Sequence, residues 1–328
     1  MALILCVVLY FGIITMLIQS SASHRLATMQ KSCRDMSHVY RGRVGISTRY
    51  SSKSLQRTHA IPTRLNTIPH PRETRYWFYN DCVSALEKAL EEGDTDTGRL
   101  LSLKCTIPEL NQNFDVYRVG TLLECVRELT TMLSSRGKRC KVCVQQSLGQ
   151  GVFCGTPLAL SGVRRILNQM DWGEDEVAIG QLGRDEIDDC DAYVIISPQN
   201  ITGHSVLPLI AEMVEEAGDD GKDIILINPQ LADIMSSGGV MSVRGRQERM
   251  DFVSEFIPAY HFRLLYIGMG PYPIMGALRY VYGGLWEVYR RVDYKEENDG
   301  TPRERYDLLE TFETEPDSKQ ITEAFRKK

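Results

Sequence analysis

Ala192-Tyr193-Val194-Ile195-Ile196-Ser197, followed one helix length later by Ile224-Ile225-Leu226-Ile227-Asn228, decides the fold. Each is a short apolar run bounded by turn residues, the pattern of a strand buried on both faces of a parallel sheet. Between them, Val206 to Ala217 has the spacing of an amphipathic helix, so the stretch reads as a β-α-β unit.

Working outward, the alternation continues. Tyr76 to Leu90 predicts a helix ended by Gly93, and Leu100 to Ile107 a strand stopped by Pro108. Val119 to Leu133 predicts a helix, Lys138 to Gln145 a strand, Leu158 to Met170 a helix and Val177 to Leu182 a short strand. After Gly239 the pattern changes. Arg246 to Phe256 reads as a charged helix and Ala259 to Ile267 as a strand. Ala277 to Tyr282 and Trp286 to Tyr294 then read as antiparallel partners joined at Gly283-Gly284. Tyr306 to Phe312 is a further strand, and Asp317 or Ser318 caps a last helix. The expected fold is α/β: a Rossmann-like, mainly parallel sheet with helices on both faces and an antiparallel C-terminal extension from about residue 257.

The first 72 residues have a different character. Leu3 to Ile18 is nearly all apolar and leads to Ser20-Ser21-Ala22, the layout of a secretory signal peptide over 1–22. The run is shorter than the roughly 20 residues of a spanning helix. From 23 to 72 the chain carries ten Lys and Arg against one acidic residue, Asp35, the composition of a disordered transit peptide. In series these resemble the bipartite presequence of plastids derived from a eukaryotic endosymbiont, entered through the endoplasmic reticulum. Localisation in the stroma or at the stromal face of the thylakoid is expected, with the secretory pathway as the alternative. The remainder, 73–328, is expected to be a single domain.

Taking ten basic and one acidic residue from totals of 38 and 43 leaves 28 and 42, a net charge near −14 for the remainder. That balance argues against nucleic acid as a partner. Cys140-Lys141-Val142-Cys143 has redox spacing but lies in a strand, which would point the two thiols to opposite faces. The cysteines follow no disulfide or zinc spacing, and no metal or cofactor is expected.

In an open α/β sheet, ligands bind beyond the carboxyl ends of the strands. Three such loops are rich in amides and hydroxyls: Gln145-Gln146, Ser197-Pro198-Gln199-Asn200 and Asn228-Pro229-Gln230. Together with His204 they could line a polar crevice, although ordinary turn chemistry is the favoured reading of those residues. Arg244 and Arg246 could add an anion site near Gly238-Gly239, against a solvated helix face as the weightier reading. His261, mid-strand, reads as structural. Gly149, Gly151 and Gly155 do not fit G-x-G-x-x-G, and the phosphate loop, the H-E-x-x-H pair and the nucleophile elbow are missing from the sequence. No residue is assigned a catalytic role, and the reading leans away from an enzyme.

The order of several motifs carries a resemblance. Asp115-Val116-Tyr117-Arg118-Val119-Gly120 precedes the second helix, and Asp191 opens the apolar strand that ends at Ser197-Pro198. Ile227-Asn228-Pro229-Gln230-Leu231 follows, then Gly239 through Arg249 leading into Phe256, and finally Gly284-Leu285-Trp286-Glu287-Val288-Tyr289. From about Tyr76 onward the chain resembles a plastid and cyanobacterial domain-of-unknown-function family that includes the plant low photosystem II accumulation protein 3. The resemblance implies a plastid protein, with photosystem II subunits or other assembly factors as partners and peripheral thylakoid association. Some relatives carry the domain fused to an adenylate kinase, whose phosphate loop this sequence lacks. The expected role is a non-enzymatic assembly or maintenance factor. The alternative is a protein or enzyme using the polar crevice for a small molecule, phosphorylated ligands included.

Overall fold

Ten strands form one sheet in the order β1-β10-β9-β8-β7-β2-β6-β5-β3-β4. The computed structural model describes residues 65–70, 75–92, 98–110, 117–146, 162–172, 177–183, 187–200, 205–231, 246–267, 273–295 and 302–327. In chain order these give β1 (Thr67–Pro69), α1 (Arg75–Glu92), β2 (Leu100–Thr106), a 3-10 turn (Pro108–Leu110), α2 (Val119–Ser135) and β3 (Cys140–Val144). Next come α3 (Val163–Leu167), β4 (Val177–Gln181), β5 (Ala192–Ile196), α4 (Leu207–Asp219), β6 (Asp223–Ile227) and α5 (Arg246–Ser254). β7 (Ile257–Tyr266), β8 (Ile274–Val281), β9 (Trp286–Lys295), β10 (Pro302–Phe312) and α6 (Ser318–Arg326) complete the described chain.

The expected division holds. β4, β3, β5, β6, β2 and β7 pair in parallel, whereas β7, β8, β9, β10 and β1 pair antiparallel. β7 belongs to both halves. Side-chain alternation distributes the covering helices between two faces. Leu101, Leu103, Val142, Val194, Ile225 and Phe262 join the core under α1, α2 and α3. Cys143, Tyr193, Ile195, Ile224 and Leu226 point the other way and pack beneath α4, with Phe252, Val253 and Phe256 from α5 and its end. α6 covers the same second face further along, where Ile321 and Ala324 meet Leu278, Trp286 and Val288. Cys140 and Cys143 therefore lie on opposite faces, as a strand requires.

One boundary is corrected. The stretch assigned to a disordered segment ending at Arg72 includes β1, which pairs with β10 and buries Ile68. Asn66 O accepts from Leu308 N, and Leu65 O lies 2.9 Å from the Tyr289 hydroxyl oxygen. Thr67-Ile68-Pro69 suits this position: the branched residues favour extended backbone, and a proline is tolerated on an edge strand. At the hairpin between β8 and β9, Gly283 supplies the positive φ (70°) that the tight turn demands. The last helix begins with a capping box. Asp317 accepts from Gln320 N, and the Gln320 side chain accepts from Asp317 N. Among the described residues, no helix is long and apolar enough to cross a membrane.

Candidate functional site

The amide-rich loops do come together at the carboxyl ends of β3, β5 and β6, but the side chains of Gln145, Asn200 and Asn228 are bonded to neighbouring backbone. Gln145 and Gln199 bond reciprocally: Gln145 Nε2 donates to Gln199 O at 3.0 Å, and Gln199 N donates to Gln145 Oε1 at 2.7 Å. Asn200 Oδ1 accepts from Ser205 Oγ and Val206 N, both at 3.0 Å, and so holds the entry to α4. Its Nδ2 donates to Leu231 O at 3.2 Å. Asn228 Oδ1 accepts from Cys105 N, and Asn228 Nδ2 donates to Leu110 O. Gln199 and Gln230 extend the parallel ladder by one bridge, while Gln146 points to solvent. Ser197 and Asn228, the first residues after β5 and β6 respectively, hold left-handed backbone at φ 44° and 49°. Gln145, Asn200 and Asn228 thus satisfy irregular backbone at the ends of buried strands, as turn residues do, whereas the buried Ser197 Oγ and Gln199 Oε1 have no hydrogen-bond partner. His204 and Arg244 lie outside the described residues, and only the backbone of Arg246, at the start of α5, is described.

The open site is next door. The connection from β2 runs through α2 on the first face, while that from β6 runs through α5 on the second. The chain thus parts in opposite directions at two adjacent strands, the place where α/β sheets bind ligands. On the second face, between α5 and α6, the floor over β2 and β7 has no helix among the described residues, leaving a cleft of about 810 Å³. Ser102, Lys104 and Thr106 rise from β2, and His261 and Arg263 from β7. Lys104 stands in register with His261, and Thr106 with Arg263. Leu231, Val253 and Phe256, from the cluster beneath α4 and α5, and Trp286, from the cluster beneath α6, complete the lining together with Glu315. Asn200, Asn228 and Gln230 contribute to the rim, so part of the expected crevice survives as a border rather than as the floor.

The floor is electrostatically unusual. His261 is 96% buried at 4% exposure, yet its Nε2 has no hydrogen-bond partner. Its ring meets Trp286 edge-to-face at 5.0 Å. Burial, followed by the positive charges of Lys104 and Arg263, lowers the imidazole to about 3, so it is neutral at pH 7. Arg263 is half-buried, its Nε also lacks a partner, and burial lowers its proton affinity against the pull of Glu315. Neither Lys104 nor Arg263 forms an ion pair among the described residues. Two cationic heads and an unsatisfied imidazole converging on a concave, partly apolar surface can accept an anion. They supply N–H donors and positive charge where water is partly excluded.

From its own position in the strand His261 reads as structural; its register with Lys104 is what places it in the floor of the cleft. The available signal was the alternation Leu101-Ser102-Leu103-Lys104-Cys105-Thr106 beside Tyr260-His261-Phe262-Arg263-Leu264. Two central strands with every second residue polar indicate a sheet face with no apolar cover. Among the described residues, no group of three or more His, Cys, Asp or Glu side chains is placed to hold a metal ion.

Residues 72–323 match the family described as Domain of unknown function (DUF1995). The chain belongs to that family. The match spans β2, β7 and every described residue of the cleft, so the site lies within the DUF1995 domain and not in an appended segment.

Proposed function

We propose that this DUF1995 protein is a non-enzymatic binding factor of the plastid, serving assembly or maintenance of photosystem II or another thylakoid complex. The cleft over β2 and β7 is its recognition site. The observation that carries the binding reading is the pair Lys104 and Arg263, cationic heads without ion-pair partners at a topological switch point. The plastid setting draws on the signal-plus-transit character of residues 1–72. The thylakoid client draws on the resemblance to the family of the low photosystem II accumulation protein.

The test is co-migration of tagged full-length protein on native gels of solubilised plastid membranes. Appearance with photosystem II assembly intermediates, but not with the mature complex, is the expected result. A plastid protein running alone removes the thylakoid client, and exclusion from the plastid removes the setting. The small-molecule alternative moves from the crevice to this same cleft, because the Gln145 and Asn200 side chains that suggested the crevice are bonded to neighbouring backbone.

A further inference from the structure

Lys104, His261 and Arg263 occupy a patch the size of one tetrahedral anion. Neighbouring strands run about 4.8 Å apart, and same-face residues two apart on a strand are about 6.7 Å apart. With Lys104 and His261 in register and Arg263 two residues further along β7, the three side chains rise from a triangle of those dimensions. An arginine fork donates to two oxygens of a phosphate, a lysine acts as a point charge, and a neutral imidazole donates one hydrogen bond. The walls are partly apolar: Leu231 and Phe256 belong to the cluster beneath α4 and α5, and Trp286 to the separate cluster beneath α6. The cleft volume falls within the roughly 300–1,000 Å³ of small-molecule sites.

We propose that this cleft binds a small phosphate monoester, its phosphate on Lys104, His261 and Arg263 and its apolar body between Phe256 and Trp286. The unpartnered, buried Nε2 of His261 is the strongest mark of an absent ligand, since a buried polar atom without a bond costs stability unless function repays it. Glu315 at the rim opposes the ligand's charge and stands near Arg263, so it selects against anions that fail to engage the guanidinium. The proposal rests on the reading of the cleft as a recognition site and names the chemistry of its occupant.

The experiment is calorimetric titration of the full-length protein with phenyl phosphate, inorganic phosphate and benzyl alcohol, repeated on Lys104→Gln and Arg263→Gln. Flotation with vesicles containing phosphatidic acid, whose headgroup is a phosphate monoester, and native-gel co-migration of each variant accompany it. Phenyl phosphate should bind at least about tenfold more tightly than either fragment, because head and body are both engaged, and each variant should lose about tenfold or more. Vesicle binding lost in both variants, with phenyl phosphate still bound by the wild type, assigns the phosphate to a lipid headgroup rather than a free molecule. Equal binding of benzyl alcohol and phenyl phosphate overturns the anion site. No binding of any probe, with both variants still co-migrating like the wild type, overturns the recognition reading as well. No probe binding but lost co-migration leaves the recognition site standing and replaces the phosphate monoester with an acidic segment of a protein partner. Circular dichroism on each variant separates loss of binding from loss of folding.

Discussion

Arg279 on β8 grips Asp81 on α1 with both prongs of its guanidinium, Nε to Oδ2 at 2.8 Å and Nη2 to Oδ1 at 2.7 Å. Its remaining nitrogen, Nη1, reaches Glu287 on β9 at 2.6 Å, and the hydroxyls of Tyr260 and Tyr289 donate to Asp81 and Glu287. All five residues are buried, so one cation faces two carboxylates in the core beneath the first helix. Burial alone favours a neutral guanidine, but the bonds and charge of Asp81 outweigh it and raise the proton affinity of Arg279. Arg279→Met should strand two buried carboxylates and cost about 3–5 kcal/mol, whereas Arg279→Lys, lacking the planar fork, should cost less. Urea unfolding of the full-length protein measures both. A Met variant within about 1 kcal/mol of wild type would show that water enters the cluster.

Ser197 and Asn228 end adjacent strands in the same left-handed conformation, yet substitution by glycine should act in opposite directions. A left-handed backbone costs a non-glycine residue roughly 1–2 kcal/mol, and the buried Ser197 hydroxyl has no hydrogen-bond partner. Ser197→Gly should therefore raise stability by about 1 kcal/mol. In Asn228→Gly the backbone relief is outweighed, because Cys105 N loses its buried acceptor at a cost of about 1–3 kcal/mol. Thermal unfolding of the two variants gives the signs. Equal signs would mean that the Asn228 amide adds nothing to the turn.

Much of the fold was legible because each buried strand is short, apolar and followed by a clear breaker. Ala192–Ile196 and Asp223–Ile227 needed no tertiary information to be seen as neighbours. Arg279 and Glu287 were not readable as partners of Asp81, since nothing local marks a charge on a strand as destined for the core. β1 escaped notice because three residues cannot display a period, and its place is set by β10, more than 200 residues away in the chain. The cleft was half-legible. Its rim amides stood out as turn residues, while Lys104, His261 and Arg263 each passed as unremarkable until register placed them side by side.

Cys190 is the one half-exposed thiol among the described cysteines, and it should be a slow nucleophile. Burial, then its hydrogen bond with Asp188 and the charge of that carboxylate, pushes the thiol up to about 11. Alkylation mapped by mass spectrometry should therefore rise about a hundredfold between pH 7.5 and 9.5, where an ordinary thiol gains only about tenfold. Asp188→Asn should bring labelling at pH 7.5 nearer the ordinary rate. Cys82, Cys105, Cys125, Cys140 and Cys143 are buried and should label slowly at both values. A tenfold profile for Cys190 would mean that Asp188 turns to Lys141, its ion-pair partner at 3.0 Å, and leaves the thiol unperturbed.

The pH dependence of stability should carry the signature of His261. Its imidazole sits at about 3 in the folded protein and near 6.5 when unfolded, lowered by burial and then by Lys104 and Arg263. Facing it are Lys104 from β2, Arg263 from β7 itself and Tyr280 from β8, with Glu315 beyond β10 also lining the cleft. Of these side-chain types, only an imidazole ordinarily titrates between pH 5 and 8. Between pH 6.5 and 3 the unfolded chain binds a proton that the folded protein does not. Stability is therefore greatest above 6.5 and falls with acid by about 1.4 kcal/mol per pH unit, roughly 2 kcal/mol by pH 5. His261→Gln should remove that part of the slope. A bound anion reverses the bias on the ring, since opposite charge favours the protonated form. Phenyl sulfate, which keeps its single charge throughout the range, should then bind more tightly at pH 5 than at pH 7 to wild type but not to His261→Gln. Unfolding by urea at pH 5, 6 and 7, with and without phenyl sulfate, reads both effects. An acid slope unchanged in His261→Gln would place the proton uptake on another group and leave the cleft without its titrating member.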